Sequence, residues 1–131
     1  MAIKKNLNIK FGSYIRELRI ENGLGQRELA DKIGIAASYL NDIEKEKRTA
    51  PKQIVIKKLS TLLKANINYL NDLAGISKGN VAPDIGQFIG NNPRIVSLIR
   101  SIKDNNLKDD QIKKIENSLN KNISKALIIA A

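Results

Sequence analysis

The sequence contains neither cysteine nor histidine in 131 residues. Without cysteine there is no disulfide framework and no thiol chemistry. Without either residue the common zinc and haem sites cannot be built, and no Ser–His or Cys–His nucleophile pair exists. No cofactor, no metal and no enzymatic activity are therefore expected. Aromatic residues make up 4% of the chain and apolar residues 42%, so the core has to be aliphatic. Ile and Leu dominate it, which suits helices packed on helices. No stretch approaches the roughly 20 apolar residues of a membrane span. The opening "MAIKKNLNIKFG" has lysines but no apolar run, so no secretory signal is read there, and a cytoplasmic protein is expected.

What the chain has in surplus is positive charge. Lys plus Arg number 23 against 13 Asp plus Glu, a net charge of +10. Residues 1–74 contribute +6 and residues 75–131 contribute +4. A balance of this size draws polyanions, with nucleic acid the first partner to consider and an anionic membrane the second.

Apolar spacing organises the chain. Phe11, Ile15 and Leu18 recur at helical intervals, predicting a helix over 11–21 that Gly23 stops. Gly25 stands at an N-cap position with Glu28 three residues on, half of a capping box. The spacing predicts a second helix over 26–33, a tight turn with positive φ at Gly34, and a third helix from Ala37 to about Lys45. Pro51 is expected in the first turn of a fourth helix that buries Ile56, Leu59, Leu62 and Leu63. Asn66 is expected to end that helix in a left-handed conformation. A short fifth helix, "NYLNDLA", closes the unit at Gly75. "GISKGNVAPD" has no apolar period and reads as a linker.

Beyond it, Ile95, Leu98, Ile99 and Ile102 form one stripe. Ile112, Ile115, Leu119, Ile123 and Leu127 form another. The second follows Asp109 and Asp110, which read as favourable charge at a helix N-terminus rather than as a catalytic pair. These stripes are too short to enclose a sizeable ligand cavity, and a second copy of the chain is expected to cover them; packing back on the first unit is the alternative.

"ELADKIGIAASYLNDIE", residues 28–44, carries the functional signal. Ala30 lets the second helix approach the third, and Leu40 and Ile43 pin the third to the core. Its outward face is then Ala37, Ser38, Asn41 and Asp42, with Tyr39 beside them. A major groove admits one α-helix, and short hydrogen-bonding side chains suit base edges. Basic residues around the rim suit phosphates. Ser38, Asn41 and Asp42 are thus candidates for base contact, and Arg27, Lys45, Lys47 and Arg48 for phosphate contact. A plain solvated helix face is the alternative reading.

Residues 11–74 resemble the XRE family of helix-turn-helix regulators, with the lambda-repressor-like fold of five helices. The stretch "IRELRIENGLGQRELADKIGIAASYLNDIEKEKRTAP" follows the family's running pattern at Leu18-Arg19, Gly23-Leu24, Gln26, Glu28-Leu29-Ala30, Gly34, Leu40, Ile43-Glu44 and Pro51. The resemblance implies that Gln26 binds phosphate, that Ala37, Ser38, Tyr39, Asn41 and Asp42 face bases or their sugars, and that Arg19 and Glu44 form a structural ion pair. Three positions depart from the family. Gly25 and Ala36 replace Ser or Thr caps, and Glu46 replaces a usual Gly, adding a carboxylate that opposes phosphate contact.

The reading is an all-α protein with four parts. Residues 1–10 are a basic arm, whose Lys4, Lys5 and Lys10 either enter a minor groove or stay unstructured. Residues 11–75 are the DNA-binding domain, 76–82 a linker, and 83–131 a helical dimerisation region using the two stripes. The expected function is a homodimeric, sequence-specific regulator of transcription acting on double-stranded DNA, expected to be a repressor. An antitoxin that binds a toxin through its C-terminal half is the alternative.

Overall fold

The computed structural model describes residues 7–130; Lys4 and Lys5 of the predicted arm lie outside them. Within this range every regular element is a helix: α1 (Phe11–Glu21), α2 (Gln26–Ile33), α3 (Ala37–Glu44), α4 (Gln53–Leu63), α5 (Ile67–Ser77), α6 (Pro83–Gly90), α7 (Pro93–Asp104) and α8 (Asp109–Ala130). The all-α class read from the aliphatic composition is the class found. The chain divides into two compact units at Gly86/Gln87.

In the first unit, α1 packs on α3, α4 and α5, α2 packs on α3 and α4, and α4 packs on α5. Phe11, Ile15, Leu29, Leu40, Ile43, Leu59, Leu63, Leu70 and Leu73 are fully enclosed between them. Two of the scarce aromatics meet edge to face: the Tyr14 and Tyr69 rings lie 5.0 Å apart at 80°. Burial, helped by the neighbouring Tyr69, Glu21 and Glu17, pushes the Tyr14 phenol above its ordinary value.

Two glycines are required by geometry. Gly34 ends α2 with φ 77°, in the left-handed region, and its N–H returns to Ala30 O at 2.9 Å. Gly12 is buried in the first turn of α1, against the C-terminal end of α3. A Cβ there would run into the Ile43 carbonyl oxygen and stand 2.7 Å from Glu46 Oε1.

Some helix ends differ from expectation. Pro51 is not in the first turn of α4; it is enclosed in the core, and Lys52 is the N-cap. The left-handed residue that stops α4 is Lys64, with φ 56°, rather than Asn66. The Ala65 N–H bonds back to Ser60 O at 2.9 Å, which satisfies an end carbonyl of the helix. Asn66 instead caps α5, its Oδ1 accepting from the Tyr69 N–H at 3.0 Å. That cap starts α5 one residue early. The helix then continues to Ser77, and Ala82 beyond it is buried.

The second unit is built differently. None of its described residues is buried. Along α7, Ile95 and Ile102 are half-buried while Leu98 and Ile99 are exposed. Along α8, Ile112, Ile115, Leu119, Ile123 and Leu127 are all exposed.

Candidate nucleic-acid interface

The core contacts decide which way α3 faces. Leu40, Ile43 and Glu44 are its buried residues. Ser38 is therefore left exposed, and Ala37, Tyr39, Asn41 and Asp42 are half-buried around it. All five predicted base-facing residues lie on this one short helix. Ala37 and Tyr39 also pack partly against the core, which limits how far they project.

Hydrogen bonds tie this face to its surroundings. Gln26, first residue of α2, donates from Nε2 to Asn41 Oδ1 at 3.2 Å. That bond engages the Asn41 amide oxygen as an acceptor; the amide nitrogen is the side chain's donor. Arg48 lies over the Tyr39 ring, 5.7 Å from its centroid, and its Nε is 4.0 Å from Asp42 Oδ2. The loop cation thus leans on two of the candidate base-reading side chains. Arg27, Lys45 and Lys47 are exposed and make no ion pair among the described residues. Gln26 and Arg27 open α2, whose N-cap Gly25 has no side chain to spend on the helix end. The Gly25 N–H itself donates to Glu28 Oε1 at 3.2 Å, which is the half box expected from the sequence.

Beneath this face sits the Arg19–Glu44 pair. Arg19 Nε donates to Glu44 Oε2 at 2.9 Å and Arg19 Nη2 to Glu44 Oε1 at 3.0 Å. Arg19 Nη1 donates to the Leu24 carbonyl at 2.9 Å. The two side chains are 12% and 2% exposed, so this is a largely buried fork joining α1, α3 and the α1–α2 turn.

One residue has a larger role than its sequence position suggested. The Lys45, Glu46 and Lys47 segment closes α3: Glu46 N–H bonds to Ile43 O at 3.1 Å and Lys47 N–H to Asp42 O at 2.9 Å. This is the Schellman arrangement, which needs a left-handed residue after the cap. Glu46 takes that conformation, with φ 61°, although a Cβ makes it cost about 1–2 kcal/mol. Its carboxylate then reaches across 33 residues of sequence. Oε1 accepts from the Ser13 N–H at 2.9 Å and faces the Ser13 hydroxyl at 3.4 Å. Ser13 is the third residue of α1, whose N-cap Lys10 makes no side-chain cap bond. Glu46 supplies the missing cap from another element. The signals for it in the sequence were Gly12, small enough for the approach, and an acid where the resembling family has Gly.

Residues 15–70 match the helix-turn-helix family. Residues 15–70 are an XRE-type helix-turn-helix domain. The chain is 38% identical over 61 residues to the helix-turn-helix transcriptional regulator SinR of Bacillus subtilis, covering 47% of this chain and 55% of SinR. It is 40% identical over 65 residues to the regulator RghRB of the same organism, covering 50% of this chain and 47% of RghRB. A crystal structure of SinR in complex with DNA, 37% identical, covers 46% of this chain and 95% of that one, with a TM-score of 0.43. The chain spans about half the length of the curated relatives it matches. The helix-turn-helix domain accordingly includes most of α1, all of α2–α4 and part of α5, and contains every candidate base- and phosphate-contacting residue.

Among the described residues no helix is long and apolar enough to cross a membrane, and no group of acidic side chains is arranged to hold a metal ion.

Proposed function

We propose that this chain is a DNA-binding transcriptional regulator, a repressor that acts as a homodimer on a pseudo-palindromic duplex. The observation that carries the reading is the outward face of α3: short polar side chains at Ser38, Asn41 and Asp42, rimmed by exposed Arg27, Lys45, Lys47 and Arg48. The named relatives of the helix-turn-helix domain are transcriptional regulators, which supports the same reading. The activity is binding, and repression needs only occupancy of a promoter.

In this reading Asn41 and Asp42 choose the sequence, Asn toward adenine and Asp toward the cytosine amino group. Gln26, Arg27, Lys45, Lys47 and Arg48 hold the phosphates and set orientation, while Ala37 offers a methyl to thymine and Tyr39 touches the backbone. Homodimerisation uses Ile95, Leu98, Ile99 and Ile102 on α7 with Ile112, Ile115, Leu119, Ile123 and Leu127 on α8. The exposure of seven of these nine side chains supports that use, because a run of apolar residues at helical spacing is costly to leave in water.

The two kinds of contact separate experimentally. Lys47→Ala is expected to weaken binding to all duplexes alike and to lower the salt slope by about one. Asp42→Ala is expected to cost about 1–3 kcal/mol of discrimination at one base pair per half-site without weakening binding to unrelated duplexes. Filter-binding titrations on a selected and an unrelated duplex, across a salt series, measure both. Equal losses on both duplexes for both variants would contradict the division of labour.

A further inference from the structure

Glu46 is the one acid within the Lys45–Arg48 loop. Lys10, Lys47 and Arg48 line the same surface cleft as Glu46, a cleft of about 550 Å³. The carboxylate is held there by the Ser13 N–H at 2.9 Å, at the positive end of α1. It is kept despite a left-handed backbone that glycine would adopt without strain. A residue needed only to end α3 would be better served by glycine. What Glu46 adds is a fixed negative charge among cations, of which Lys47 and Arg48 are assigned to phosphate, facing a helix end that itself attracts anions.

Resting on the DNA-binding reading above, we infer that Glu46 sets the strength of the phosphate contact. Its carboxylate acts as an internal stand-in for phosphate: it occupies the N-terminal donor of α1 and cancels part of the field of Lys10, Lys47 and Arg48. Sequence-independent attraction is thereby reduced, and a larger share of binding falls to the base-reading face of α3. Because the Ser13 bond fixes the carboxylate, the charge cannot swing away when a phosphate approaches.

Glu46→Gln separates charge from geometry. The amide oxygen still accepts from the Ser13 N–H, and the negative charge is gone. In the full-length protein this variant is expected to bind both a selected and an unrelated duplex about 3- to 10-fold more tightly at low salt, with a salt slope steeper by up to about one. The gain should shrink as salt is raised, and the melting temperature should stay near that of wild type. Glu46→Gly, which suits the left-handed backbone, removes charge and bond together and is expected to move affinity in the same direction, covering the case of a poorly folded glutamine variant.

A role confined to capping α1 predicts no salt-dependent change for Glu46→Gln; an unchanged slope, or weaker binding, in both variants overturns the inference. Wild-type protein that binds no duplex even at low salt overturns the DNA-binding reading and this one with it. Wild-type binding with unaltered variants overturns this one alone.

Discussion

Arg19→Ala is expected to lower stability by about 3–5 kcal/mol, a fall in melting temperature of about 10 °C or more. The reason is the company that Glu44 keeps. Its side chain is 2% exposed, and both carboxylate oxygens accept from Arg19, at 2.9 and 3.0 Å. Removing the guanidinium leaves a buried carboxylate without those donors and also releases the Leu24 carbonyl. Arg19→Lys should recover only part of the loss, because an ammonium group cannot form the two-pronged contact. An apolar double replacement, Arg19→Met with Glu44→Leu, should be less harmful than the single change, since it leaves no charge uncompensated. Thermal unfolding followed by circular dichroism measures all three. Arg19→Ala melting with wild type would mean that the pair contributes nothing, whatever its geometry.

Removing residues 87–131 is expected to leave a folded unit and to lower affinity for a two-half-site duplex by about 10²- to 10⁴-fold. Every buried apolar residue among those described lies between Phe11 and Ala82, so the helix-turn-helix unit keeps its core. What the truncation removes is the second half of α6 together with α7, α8 and their apolar stripes. If those stripes join two copies, each half-site is held by a domain that is already tethered, and losing the tether returns each domain to its own affinity. The cut belongs after Gly86 rather than at Gly75, because α5 runs on to Ser77, Ala82 is buried, and the Asn80 N–H closes on Gly75 O at 2.7 Å. Light scattering gives the oligomeric state, and a titration on duplexes with one or two half-sites gives the affinities. A truncated protein that binds both duplexes as the full chain does would assign α7 and α8 another role.

How much of this was legible beforehand depended on how local the cause was. The limits of α1 and α2 follow from apolar spacing and from Gly23 and Gly34, all within a few residues, and both helices begin and end where that spacing put them. The start of α4 is not legible in the sequence because Pro51 has two uses, opening a helix or filling a core, and only packing chooses between them. Asn66 is ambiguous for a similar reason. An Asn can sit in the left-handed region or cap the next helix, and here Tyr69 takes its side chain. Glu46 shows the limit most clearly. A carboxylate in that loop could be seen, as could its opposition to phosphate. Its bond to Ser13 joins residues 33 apart, and only the folded approach at Gly12 brings them together. On α3, periodicity alone indicated the outward face. The Gln26–Asn41 bond and the stacking of Arg48 on Tyr39 depend on side-chain conformations that no spacing specifies.

The central claim is that α3 reads base edges in duplex DNA. Selection from random duplexes by the full-length protein, followed by footprinting of the recovered sites, tests it most directly. The predicted result is a pseudo-palindrome with half-sites about one helical turn, or a multiple of it, apart, about 34–36 Å per turn. Repeating the selection with Asp42→Ala should lose preference at one base pair in each half and nowhere else. Recovery of no common sequence by wild type, or of the same sequence with equal stringency by the variant, would contradict the assignment of α3 as the reading element.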